Sequence, residues 1–176
     1  LQVGIKHNIP DYVSFGGAIA GVKLAMTSDA AKGMALARDH MAGLERAGWQ
    51  CFVPILLIQL AGALIANGET DAALVTANKA LAITRASGEL AWEPEALRVL
   101  GVVKLDASTA GEGGLAAAED DLRAAIESAR QQGAKAFELR AATILAHFLA
   151  GQGKRREGHE LLTPVYNQFT EGFETP

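Results

Sequence analysis

The stretch from Phe52 to Ser87, FVPILLIQLAGALIANGETDAALVTANKALAITRAS, constrains the fold most, because its first half is apolar on every side and its second half on only one. Between Val53 and Ala66 only Gln59 is strongly polar, so a helix here has no face to give to water and must be covered on both flanks. Pro54 suits a first helical position, and Asn67-Gly68 stops the pattern, which predicts an internal helix over 53–66. From 71 to 86, apolar or small residues recur at Ala73, Leu74, Ala77, Leu81 and Ala82 or Ile83, while Thr76, Asn78, Lys79 and Arg85 take the outside, which predicts an amphipathic helix. So short a connection makes the two helices antiparallel.

Landmarks of this hairpin return along the chain. Gly48, Gly88 and Gly133 each follow a second helix, and each is followed four residues later by an aromatic, Phe52, Trp92 or Phe137. Pro54 and Pro94 share an offset. The spacings are 40 and 45 residues, and the insertion ASTAGEGG at 107–114, read as a loop, accounts for the difference. Helices are predicted at 11–27, 29–47, 53–66, 71–86, 93–106, 115–132, 135–150 and 155–169, with Ser28-Asp29 as a cap. That gives four repeats, at 11–48, 49–88, 89–133 and 134–172. Residues 1–10 carry no period and are expected to be poorly ordered. A fixed period implies stacked units, so one elongated all-α domain over 1–176 is expected. Alanine and leucine dominate, and no alternating β-branched run argues for a strand.

Composition narrows the function. With 49% hydrophobic and 20% charged residues the chain can bury a substantial core. Its 16 basic and 20 acidic residues, net charge −4, leave no one-sided basic footprint for a phosphate backbone, so direct nucleic-acid binding is not expected. Cys51 is the single cysteine, which makes an intrachain disulfide impossible and a reducing, cytoplasmic setting the expectation. Gln50, Pro54, Gln59 and Gly62 interrupt the apolar run around the central helix, and no membrane span is predicted.

Chemistry-bearing patterns are weak. Gly151-Gln152-Gly153-Lys154 is too short for a phosphate loop and is followed by Arg155 where a hydroxyl is needed; it reads as a helix–helix turn. His7, His40, His147 and His159 lack zinc-ligand spacing, and His40 stands where sister helices carry Ala80 and Ala125, which suits a side chain filling a helix–helix gap. Cys51 reads as a small buried thiol. Glu119-Asp120-Asp121 points in several directions on a helix with Arg123 close by, which suits a solvated face better than a metal site. Lys154-Arg155-Arg156 flanks a helix, with an acidic partner as the sharper reading. The recurring aromatics speak for packing between repeats. No catalytic, cofactor-binding or metal-binding residue is predicted.

The first helices read Gly17-x2-Ala20-Gly21-x2-Leu24, Leu57-x2-Leu60-Ala61-x2-Leu64, Leu97-x2-Leu100-Gly101-x2-Lys104 and Ala142-x2-Leu145-Ala146-x2-Leu149. The second helices read Gly33-x3-Ala37, Ala73-x3-Ala77, Ala118-x3-Leu122 and Gly158-x3-Leu162. These patterns resemble tetratricopeptide repeats, in which small residues midway along each helix let backbones approach; the period exceeds the usual 34, and HEAT-like repeats are the neighbouring alternative. The run from Phe137 to Pro176, containing FELRAA and GQGKRREGHELLTPVYNQFTEGFETP, resembles the C-terminal repeat region of large bacterial regulators that join a class III adenylate cyclase or DNA-binding domain to a signalling ATPase module. The resemblance implies a right-handed superhelical solenoid of about four helix pairs, excised from a larger protein whose cyclase, ATPase or transcriptional activity lies elsewhere. It also implies a further helix after Pro176, so Tyr166, Phe169 and Phe173 are expected to meet that helix, another chain or a second copy.

The expected role is protein–protein interaction or intramolecular regulation, with no catalysis and no cofactor. The inner face of the first helices supplies the candidate surface: Ile55, Ile58, Glu95, Arg98, Val102, Leu105 and His147. Such a groove suits an apolar or mixed segment. The alternative is a sensor that binds a small inducer in the concavity.

Overall fold

A computed structural model describes residues 2–7, 9–27, 29–49, 52–106 and 112–171. The described residues form no strand; they build α1 (Gln2–Lys6), α2 (Pro10–Thr27), α3 (Ala30–Arg46), α4 (Val53–Ala66), α5 (Thr70–Ser87), α6 (Glu93–Asp106), α7 (Glu112–Gln131), α8 (Lys135–Gly151) and α9 (Arg155–Tyr166), with a 3-10 turn at Leu90–Trp92. The chain divides into two compact units, Leu1–Trp92 and Glu93–Pro176. In the first, α2 pairs with α3 and α4 with α5; in the second, α6 pairs with α7 and α8 with α9.

In the first unit α4 is covered on both flanks, by α2 and α3 as well as by α5, as its all-round apolar sequence requires. Leu56, Leu57, Ile58, Leu60 and Leu64 are all at most 5% exposed, and each such side chain contributes about 1.5–3 kcal/mol of burial. Asn67 ends the helix, and its Nδ2 donates to the carbonyls of Ala63 at 2.7 Å and of Ala25 at 3.4 Å, which ties the end of α4 to that of α2. At the other end, the Phe52 ring packs against Phe15 of α2 with centroids 5.2 Å apart and planes tilted by 56°, a contact between neighbouring helix pairs. The landmark glycines Gly48, Gly88 and Gly133 take φ of 77°, 73° and 66°, a left-handed backbone that closes a helix and that L side chains resist.

Small residues mark the closest backbone approaches. A Cβ on Gly33 would lie 2.2 Å from the Ala25 nitrogen, and one on Gly21 2.4 Å from the Ala37 nitrogen, so α2 and α3 touch backbone to backbone. In the second unit, Gly101 sits against Leu122 and Gly158 against the Ala146 carbonyl. His40 fills a gap as expected: a Cβ on Gly17 would meet its ring at 2.3 Å.

Several boundaries and faces differ from the sequence expectations. Residues 2–6 form α1, because Gly4 lets the segment lie directly on α2, where a Cβ would meet the Val13 nitrogen at 2.9 Å; tertiary contact supplies what the pattern lacks. Helix α7 begins three residues early, since Gly113 and Gly114 fall in a first turn whose amides have no intrahelical partners anyway. Helix α9 ends at Tyr166, three residues early, where Pro164 withholds one hydrogen bond from the last turn. On α5 the inner stripe runs Ala73, Ala77, Ala80, Leu81 and Thr84; Ala82 is exposed and Ile83 half-buried, because the ladder steps by three and four from Ala77. Ser28, Cys51, Phe173 and residues 107–111 of the expected loop lie outside the described residues.

Ala61, on α4, is fully buried, so Ala61→Leu is expected to destabilise by about 1–3 kcal/mol through overpacking. Thr76 is half-buried and spends its hydroxyl on the Ala72 carbonyl of its own helix at 2.7 Å, so Thr76→Ala is expected to stay within about 0.5 kcal/mol. Urea unfolding of the two variants checks both; equal losses would mean the inner face has been misassigned.

Candidate functional site

In the second unit α6 and α8, the first helices of their pairs, lie side by side. Glu95 stands in the first turn of α6 with its side chain 4% exposed, and a carboxylate taken so far from water needs charged partners. It has two. Arg98, one turn on, donates from Nε and Nη2 to the two carboxylate oxygens, each at 3.0 Å, in the fork geometry that a guanidinium offers a carboxylate. Arg140 of α8 brings Nη1 to 3.1 Å from Oε2, while its side chain remains 56% exposed. Helical spacing aligns Arg98, Val102 and Leu105 along α6, and Arg140, Ile144 and His147 along α8. The Glu95 bridge sets these two stripes beside each other.

Of the seven residues singled out in the sequence, Glu95, Arg98, Val102 and Leu105 share this face of α6, and His147 lies exposed on the neighbouring stripe. Val102 and Leu105 are half-buried. Ile55 and Ile58 belong to the other unit, in α4, where Ile55 is half-buried and Ile58 is 4% exposed, part of the core. Arg140 escaped sequence reasoning, although a signal for it exists: the 45-residue offset that maps Trp92 onto Phe137 maps Glu95 onto Arg140, opposite charges at one position of adjacent first helices. The same offset relates Glu93 and Glu138. Both accept from α7, Glu93 from the Ser128 hydroxyl at 3.2 Å and the buried Glu138 from Arg130 at 3.0 and 3.1 Å.

The other charged clusters are paired in part within the second unit. Glu119 pairs with Arg123, which also reaches Glu157 of α9, and Asp121 pairs with Lys104 of α6. The Glu119 hydrogen bond, followed by that of Glu157, raises the Arg123 guanidinium above its ordinary value against the opposing effect of burial. Among Lys154, Arg155 and Arg156, all exposed, Arg156 pairs with Glu160. No group of three metal-ligating side chains gathers among the described residues. A groove of about 230 Å³ in the first unit is lined by Arg38, Met41, Glu45, Leu57, Leu60 and Lys79, and one of about 240 Å³ in the second by His147, Arg155, Gly158, His159 and Leu162. The largest exposed apolar side chains of α2, Tyr12, Ile19 and Met26, recur every seventh residue, a stripe the sequence reading did not single out. At the C-terminal end Tyr166 is 50% exposed and Phe169 half-buried.

No helix among the described residues is long and apolar enough to cross a membrane. Compared with protein-family models and with curated proteins, the chain matches none.

Proposed function

We infer that the chain is a tetratricopeptide-like, right-handed solenoid of helix pairs that recognises protein segments, either on a partner or within its own larger protein. The observation that carries this is the paired first-helix face of α6 and α8, where half-buried Val102, Leu105 and Ile144 alternate with charged Arg98 and Arg140. Apolar anchors among fixed charges suit an extended or helical peptide. The recurring glycines at closest backbone approach support the repeat reading. On the resemblance of the C-terminal run, the parent is a cytoplasmic bacterial signalling protein with adenylate cyclase or signalling-ATPase domains outside this chain, and the chain itself catalyses nothing. Recognition of a small inducer is the second reading; grooves of about 230 and 240 Å³ fall below the roughly 300–1,000 Å³ of ordinary ligand pockets, while one of about 300 Å³, lined by Arg123, Ile126, Glu127, Arg130 and Leu161, stands at its lower edge and is where an inducer would be sought.

Purified chain is expected to turn over neither ATP nor GTP, and a thermal-shift screen of metabolites is expected to leave its melting temperature unchanged. Nucleotide turnover would refute the non-catalytic role, and a saturable shift with one metabolite would favour the sensor. Small-angle scattering tests the repeat reading: the radius of gyration should exceed the roughly 16 Å of a compact domain of this length. A value at that figure would count against a solenoid.

A further inference from the structure

In the ion pairs of the second unit's described residues, each cation meets at least one carboxylate of its own at every place but one. Arg123 meets two carboxylates, Glu119 and Glu157; Arg130 meets Glu127 and Glu138; Lys104 meets Asp121, and Arg156 meets Glu160. At Glu95 the ratio inverts, and two guanidiniums share one buried carboxylate. One positive charge is therefore left over at the seam of α6 and α8, on a chain whose net charge is −4. Arg140 carries most of it outward: Nη1 holds Glu95, no other ion pair or hydrogen bond engages its donor fork among the described residues, and the side chain is 56% exposed. Because Glu95 pins Arg140 from behind, part of the entropy of fixing a long cation is already spent, which is the condition for a strong charge-assisted bond to an incoming carboxylate. Half-buried Val102 and Leu105 flank the same seam, and Ile144 follows Arg140 by one turn.

The geometry points to a specific occupant, a peptide segment carrying an aspartate or glutamate beside aliphatic side chains, its carboxylate on Arg140 and its apolar residues on Val102, Leu105 and Ile144. The assignment rests on the protein-recognition reading above and adds the chemistry of the partner. Excess positive charge selects the acid, and the flanking aliphatic surface selects its neighbours.

The test uses random peptides displayed on phage, selected on the whole chain and remeasured as fluorescein-labelled synthetic peptides by anisotropy. Recovered peptides are expected to carry an acidic residue next to Leu, Ile, Val or Phe. Changing that acid to its amide in the peptide, or Arg140→Gln in the protein, should each weaken binding about tenfold, the value of one charge-assisted hydrogen bond. Arg156→Gln, which removes an exposed cation on α9, should leave binding unchanged. The peptide substitution reads out on unaltered protein, so misfolding of a variant does not cloud the result. Peptides that bind without acid preference, or acidic ones indifferent to both substitutions, overturn the assignment and leave the recognition role standing. Failure to recover any peptide on a folded chain overturns both.

Discussion

The double variant Arg98→Ala/Arg140→Ala is expected to lose about 3–5 kcal/mol of stability, because it leaves Glu95 buried at 3% exposure with neither counter-ion. Removing both partners matters: either arginine alone still neutralises the carboxylate, Arg98 through two bonds of 3.0 Å and Arg140 through one contact of 3.1 Å. The single variants are therefore expected to cost less than half as much each, so that the double effect exceeds their sum. Adding Glu95→Leu to the double variant should recover most of the loss, since an apolar side chain at a buried site has no charge to desolvate. Arg156→Ala supplies the surface comparison; its side chain is 91% exposed and its pairing with Glu160 is worth no more than about 0.5 kcal/mol. Denaturant unfolding measures all of these. A double-variant loss below about 1 kcal/mol would mean that Glu95 reaches water, and the charge excess at the seam would lose its foundation.

Gly33→Leu is expected to cost about 3 kcal/mol, at the upper end of overpacking penalties, whereas Gly62→Ala is expected to stabilise by about 0.5–1 kcal/mol. Both glycines are inside helices, and both carry the same intrinsic helix penalty relative to alanine. What separates them is space. A Cβ on Gly33 would come within 2.2 Å of the Ala25 nitrogen and 2.7 Å of the Gly21 carbonyl, backbone atoms that cannot rotate away, so α2 and α3 must move apart. A Cβ on Gly62 would meet nothing within 4 Å, so only the gain in helix propensity remains. If the two substitutions moved the melting temperature in the same direction, the backbone contact between α2 and α3 would be in error.

Much of this architecture was written locally. The ends of α4 and α6 fall where Pro54, Asn67, Pro94 and the apolar pattern put them, and the terminating glycines take the backbone that only glycine takes readily. Where sequence reasoning slipped, the deciding contact lay outside the local window: α1 is held by its packing on α2, and the inner stripe of α5 turns on which residue follows Leu81 toward the core. The site was half legible. Glu95 and Arg98 could be placed on the inner face of α6 by helical spacing, but a buried carboxylate and an exposed one look alike in sequence, and Ile58 was indistinguishable from a surface aliphatic. Arg140 needed the repeat offset applied to charge as well as to glycine and aromatic residues.

Chemical-shift mapping of the amide-labelled chain against a peptide recovered by selection tests most directly whether this protein works by recognition through its first helices. The largest shifts are expected along α6 from Arg98 to Leu105 and along α8 from Arg140 to His147. Shifts confined to the second helices α3, α5, α7 and α9, with α6 and α8 unmoved, would contradict it.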